Sequence, residues 1–295
     1  MPRWILLTVV AVLCWGLWAV SSKLIGESVT AAQSQALSTL GLIPVMIALG
    51  GSKKLTSTGH RRRGVIKAFL AGALTCAGNV AYYHALGAGA KASTVVPLTA
   101  LYPLVTIALA VLLLRERLNG IQLGGAALSL VAIYLFNVPS VAGVVNPWLL
   151  FALLPIGLWG VSGLLQKIST NDISGELSAL WFLAAFVPVG AGLLWFQPLA
   201  TIPTLKVWLL IAGLGLFFSL GNYAILLAFA KNGKASIIAP LASLYPLVSV
   251  PIAILFLGEK IGPRETAGIV VALVSVAALA WEKPSAKPSA KLSAP

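Results

Sequence analysis

Pro97-Leu98-Thr99-Ala100-Leu101-Tyr102-Pro103-Leu104-Val105 occurs a second time, as Pro240-Leu241-Ala242-Ser243-Leu244-Tyr245-Pro246-Leu247-Val248, 143 residues further on. The same spacing relates Gly78-Asn79 to Gly221-Asn222, Lys91-Ala92-Ser93 to Lys234-Ala235-Ser236, Glu116 to Glu259 and Gly125 to Gly268. Ahead of that block the spacing is 144: Trp15-Gly16 pairs with Trp159-Gly160, Lys23 with Lys167 and Pro44 with Pro188. A one-residue insertion or deletion separates the blocks. The chain is therefore two related halves, divided as 1–143 and 144–282, with a tail at 283–295.

Of the 295 residues, 59% are hydrophobic and 9% charged, and the mean hydropathy is +0.98. Soluble domains carry about 25% charged residues. Long apolar runs joined by short polar links indicate a membrane protein built of helices. The short alternating segments of a membrane β-barrel are missing. Ten runs can be laid out: 4–22, 32–50, 64–86, 93–114, 121–136, 147–166, 177–196, 205–230, 236–257 and 266–281. Each approaches the length needed to cross about 30 Å of hydrocarbon, and five fall in each half. The first run is long and lacks a small-residue cleavage pattern, so it reads as a membrane helix rather than a cleaved signal.

The net charge of +13 does not point to nucleic acid, because the basic residues occupy links and the tail. With the N-terminus in the cytoplasm, Arg3, Lys53, Lys54, Arg61, Arg62, Arg63, Lys67, Arg115, Arg117, Lys167, Lys231, Lys234, Lys283, Lys287 and Lys291 lie inside. These are 15 of the 20 basic residues. Lys23, Lys91, Lys206, Lys260 and Arg264 lie outside. This bias orients the chain with both termini cytoplasmic. An odd number of helices per half makes the second half enter from the opposite side. The fold class expected is thus an all-α membrane protein, with ten transmembrane helices in two inverted five-helix repeats. Such inverted repeats are a recurring plan of secondary transporters, with the substrate site near mid-membrane between them. Cys14 and Cys76 sit inside apolar runs and read as small buried residues rather than a disulfide. The tail repeats Lys-Pro-Ser-Ala and reads as disordered.

The repeated block resembles that of a known family. Its pattern is a Lys-Ala-Ser link, Pro97, Tyr102-Pro103, an apolar run ending Arg115-Glu116-Arg117, and a helix with Gln122-x-x-Gly125. The second copy ends Gly258-Glu259-Lys260 and continues Glu265-x-x-Gly268. With the Trp-Gly…Lys openings Trp15 to Lys23 and Trp159 to Lys167, nearly the whole chain resembles the EamA family of the drug/metabolite transporter superfamily. That resemblance implies secondary transport of small metabolites, often export of amino acids or related compounds. It also implies a central cavity lined by helices one, three, four, six, eight and nine.

Several side chains are candidates for substrate binding. Asn79 and Asn222 hold equivalent places in helices three and eight, where a buried amide needs partners. They either contact ligand or pack helices together. Tyr82 and Tyr83 share a helical face with Asn79, and their repeat counterparts are Ile225 and Leu226, so they belong to the first half only. His84 matches Leu227. It either binds substrate or carries a proton near neutral pH, or it lies at the outer surface. Trp15 and Trp159 fall well inside their runs, where they wall a cavity, pack, or face lipid. Lys23 and Lys167 at helix ends read as snorkelling.

The prolines form the second group. Ser93 and Ser236 are candidate N-caps, which places Pro97 and Pro240 near a first turn. Pro103 and Pro246 are deeper, and each frees a backbone carbonyl near residue 99 or 242. All four are candidate hinges; at Pro103 and Pro246 the break is a hinge, a carbonyl facing the cavity, or a static kink.

None of the seven acids lies at the centre of an apolar run, and no metal cluster, nucleotide loop or nucleophile set is evident. The expected function is export of a small metabolite, an amino acid or similar compound, across a bacterial-type inner membrane by alternating access. The expected partners are that small molecule and the lipid bilayer, with no nucleic acid and no cofactor, in a functional monomer. The alternative is a membrane enzyme or a lipid-handling protein such as a flippase or scaffold.

Overall fold

The computed structural model describes residues 3–25, 28–114, 118–136, 147–231 and 234–281. The expectations for Glu116 and its basic neighbours, and for the tail, lie outside these residues. The described residues are helical, with no strand beyond one isolated bridge between Ser57 and Ile173.

The first half contains α1 (Arg3–Leu24), α2 (Ala31–Gly50), α3 (Arg61–Gly87), α4 (Ala92–Thr99), α5 (Pro103–Leu114) and α6 (Gly120–Phe136). The second contains α7 (Pro147–Ser169), α8 (Gly175–Ala184), α9 (Phe186–Phe196), α10 (Leu205–Ala230), α11 (Ala235–Ala242), α12 (Pro246–Leu257) and α13 (Pro263–Leu279). The pairs α4–α5, α8–α9 and α11–α12 each run on as one broken span. Counted so, 8 segments are long and apolar enough to cross a membrane. The helices α6 and α13, 17 residues each, are shorter, near 25 Å at 1.5 Å per residue. Below, the face where α1 begins and α13 ends is called the N-face, and the opposite one the far face.

Apolar residues cover the outside: Leu112 is 73% exposed, Phe256 79% and Trp195 83%. Serine, threonine and asparagine are buried instead, among them Ser129, Thr106, Asn79 and Asn222. In a bilayer the solvent outside is as apolar as leucine, so helices associate through close packing and interhelical hydrogen bonds. Both devices are present. Gly41 of α2 meets Gly215 of α10 so closely that a Cβ on either would overlap the other helix's backbone. The repeat-related contact, also between the halves, sets Gly72 of α3 against the Phe182 carbonyl of α8. Between α6 and α13, the Ser129 and Ser275 hydroxyls share a hydrogen bond of 2.6 Å, and Ser275 also lies 2.8 Å from the Gly125 carbonyl.

The duplicated nonapeptide makes two broken helices. After Thr99 the chain turns through Ala100–Tyr102, and α5 starts on Pro103; the second copy turns through Ser243–Tyr245, and α12 starts on Pro246. Proline has no N–H, and its ring excludes the carbonyl four residues back. The Thr99 carbonyl instead accepts from the Tyr102 N–H at 3.1 Å. The tyrosines then cross between repeats. The Tyr102 hydroxyl donates to the Ala239 carbonyl at 3.3 Å, and Tyr245 reaches the equivalent Val96 carbonyl at 3.5 Å and the Thr99 hydroxyl at 3.2 Å.

Three expectations are corrected at the helix ends. Ser93 is not an N-cap, since α4 already begins at Ala92. A carboxylate from the other half does the capping: Glu259 accepts from the Ala92 and Ser93 N–H groups, each at 2.8 Å. Gly258, in the left-handed conformation at φ 64°, turns the chain out of α12 just before it. Ser236 likewise lies one residue inside α11, and Pro97, sixth in α4, sits in the second turn rather than the first. Lys23 does not snorkel either: its ammonium donates to the Leu86 and Ala90 carbonyls at 2.9 and 2.8 Å, while Lys167 reaches the Phe229 carbonyl, the repeat equivalent of Leu86, at 3.4 Å.

Candidate functional site

The two tryptophans of the Trp-Gly pairs sit at the junction of the halves. The Trp15 indole lies over Gly221 of α10, and the Trp159 indole lies over Gly78 of α3. Beside each, the following glycine lets the helix approach a broken helix: Gly16 meets Val248 and the Tyr245 carbonyl, and Gly160 meets Val105 and the Tyr102 carbonyl. Every member of one set has its repeat counterpart in the other. Between them lies a central cavity leaving about 560 Å³ unoccupied by protein atoms, open part included. Its walls come from α1, α3, the α4–α5 and α11–α12 breaks, α7 and α10. These are the first, third, fourth, sixth, eighth and ninth of the apolar runs.

Four of the sequence candidates line this cavity: Trp15, Asn79, Trp159 and Asn222. Asn222 donates to the Phe218 carbonyl one turn back at 2.9 Å, and the Trp159 N–H lies 3.4 Å from the Thr75 carbonyl. Two polar atoms of the other two candidates are left over. The Trp15 Nε1 and the Asn79 Oδ1 are buried with no hydrogen-bond partner among the described residues. An unpaired buried donor or acceptor costs about 1–3 kcal/mol, so these two atoms need an explanation.

Tyr82 and Tyr83 lie behind the cavity wall, toward the far face. Trp18 stacks on Tyr82 with ring centroids 5.1 Å apart and donates its indole N–H to the Tyr83 hydroxyl at 3.0 Å. Tyr82 donates to the Ala19 carbonyl at 3.0 Å. Trp159 and Phe218 close on the same Trp18 ring at 5.8 and 5.6 Å. This aromatic layer separates the cavity from a vestibule on the far face, which Tyr83 lines together with Lys23, Thr30 and Ser34. His84 belongs to that vestibule and not to the cavity. It is exposed and tilted against Phe151, ring centroids 4.1 Å apart.

A model of the EamA-like transporter family matches residues 2–138 and matches again over 146–281. The chain belongs to the EamA-like transporter family. It is thus a multi-pass membrane protein and a transporter. An uncharacterized protein of Methanocaldococcus jannaschii is 29% identical over 136 residues, 46% of this chain but 97% of that protein, which is therefore about one repeat long. A solved crystal structure superposes with a TM-score of 0.69 over 92% of this chain and 94% of that one, at 19% identity, a likeness of fold alone.

In this EamA-like transporter the sequence candidates do not complete the cavity. Trp18, Thr75, Ser162 and Phe218 also line it, and they form one set in the repeat: Trp18 is equivalent to Ser162, and Thr75 to Phe218. Across one contact between the halves the pair is aromatic, Trp18 with Phe218. Across the repeat-related contact the Thr75 and Ser162 hydroxyls lie 2.6 Å apart, and Ser162 donates to the Ala71 carbonyl at 2.9 Å. Identical residues reveal a repeat, whereas these positions differ between its copies. The signal for them is the pairing of unlike residues at a shared offset within known spans. Tyr102 and Tyr245 were legible in the motif, but only as neighbours of proline.

Proposed function

We propose that the chain is a secondary transporter that exports a small metabolite, an amino acid or similar compound, by alternating access. Its N-face would be cytoplasmic, in a bacterial-type inner membrane, and it would act as a monomer. In this reading α6 and α13 also cross the bilayer, giving ten spans in two inverted repeats of 1–143 and 144–282. The observation that carries it is the position of the central cavity. It lies where reciprocal contacts of the two halves meet, Trp15 on Gly221 and Trp159 on Gly78, so exchanging the conformations of the halves exchanges the open side. Asn79, Asn222, Trp15 and Trp159 would bind substrate. Tyr82 and Tyr83, with Trp18, would form the far-side gate rather than the site. His84 would meet substrate in the vestibule. Pro97, Pro103, Pro240 and Pro246 would form the hinge of each broken helix.

Purified protein in proteoliposomes tests the reading. Loaded with a mixture of labelled metabolites, the vesicles should release a subset unchanged and saturably, faster than protein-free vesicles. Chemical conversion of a solute or a lipid without release would overturn it in favour of a membrane enzyme, and lipid scrambling alone would favour a lipid-handling protein.

A further inference from the structure

The central cavity is aromatic and uncharged. Trp15, Trp18, Tyr102, Trp159, Phe218 and Tyr245 supply flat walls, and no Lys, Arg, His, Asp or Glu is among the described residues that line it. The ammonium beside it, on Lys167, lies at the N-face rim near the Phe229 carbonyl. A carboxylate or ammonium brought into such a cavity loses its water and meets no opposite charge, a large penalty. A flat uncharged ring system meets walls that favour it. Two polar atoms remain without partners, one donor at Trp15 Nε1 and one acceptor at Asn79 Oδ1. Asn79 is 1% exposed, so bulk water does not serve it. The repeat mate of the first, the Trp159 N–H, reaches the Thr75 carbonyl, so the two-fold relation breaks at this donor.

We infer that the central cavity binds an uncharged, planar aromatic solute carrying both a hydrogen-bond acceptor for Trp15 and a donor for Asn79, the chemistry of a heteroaromatic amide. This rests on the reading of the chain as a small-metabolite transporter and departs from its amino-acid substrate, since the solute it names carries no separated charges.

Nicotinamide, nicotinate and phenylalanine make the test, because they share a flat six-membered ring and differ in charge. Saturation binding of labelled nicotinamide is measured to the full chain in lipid nanodiscs, with the others as competitors. Saturable nicotinamide binding is expected, with nicotinate and phenylalanine at least about a hundredfold weaker. Trp15→Phe keeps the ring and removes the N–H; Asn79→Leu keeps the bulk and removes the acceptor. Each should weaken nicotinamide about tenfold with an unchanged melting temperature. Phenylalanine or nicotinate competing as well as nicotinamide, no saturable nicotinamide binding, or wild-type affinity in both folded variants would overturn the inference. A nanodisc has no second compartment, so the measurement is blind to transport. Phenylalanine preferred in the nanodisc overturns the ligand class and leaves transport standing. Nicotinamide bound there, with no solute released from proteoliposomes, upholds the ligand class and overturns transport.

Discussion

A methyl group at Gly215 would overlap the Ser38 carbonyl of α2, whereas one at Gly213, two residues away on the same helix, would meet nothing within 4 Å. The pair separates packing from helix propensity. Gly215→Ala should destabilise the protein by about 1–3 kcal/mol through overpacking, and Gly213→Ala should be neutral or stabilise by up to about 1 kcal/mol. Thermal unfolding of both in one detergent checks this. A second residue-scale test lies in the N-face links. Lys67 bonds Asp172 at 2.7 Å, and the Asp172 carbonyl also accepts from the Thr58 and Gly59 N–H groups. The Lys67 hydrogen bond holds the Asp172 carboxyl below its ordinary range near 3.8. A depressed folded-state pKa adds stability at pH values above the ordinary one, and that stability is lost as pH falls through the folded value. Asp172→Asn should therefore lower the melting temperature slightly at neutral pH. The gap from wild type should close as pH drops below about 4.

Broken helices rather than bent ones set the character of the molecule at the next scale. Pro103 and Pro246 were legible as disruptions, because the missing N–H is written in the sequence. The full interruption was not, because it is completed by Tyr102 and Tyr245 bonding carbonyls 137 and 149 residues away. The same limit explains α4: Ser93 has the right chemistry for a cap, but the Glu259 carboxylate, 166 residues distant, reaches the helix start and leaves the Ser93 hydroxyl without a partner among the described residues. Asn79 and Trp15 were found because the repeat marked them. Trp18 was missed because its mate is a serine. Replacing both Pro103 and Pro246 with alanine permits continuous helices through the break. Export from proteoliposomes should slow about tenfold, about 1.4 kcal/mol on the barrier, with melting temperature and binding affinity near wild type. Unchanged flux would reduce the two prolines to static kinks.

The whole molecule is two similar halves whose lids differ. Toward the far face, Trp18, Tyr82 and Tyr83 stack into an aromatic layer. Their counterparts Ser162, Ile225 and Leu226 provide no such layer on the other side of the cavity. Sequence made the duplication plain, since nine-residue blocks repeat at fixed spacing. It could not reveal which residues seal the cavity, since sealing depends on rings from α1, α3, α7 and α10 meeting in space. The central claim is that one cavity serves both faces in turn. With Cys14→Ala and Cys76→Ala removing the native thiols, Ser162→Cys places a single thiol on the cavity wall. Membrane-impermeant thiol reagent is then applied separately to right-side-out and inside-out vesicles. Labelling from either face, at rates that shift oppositely when substrate is added, is the predicted result; labelling confined to one face under every substrate condition would contradict the account.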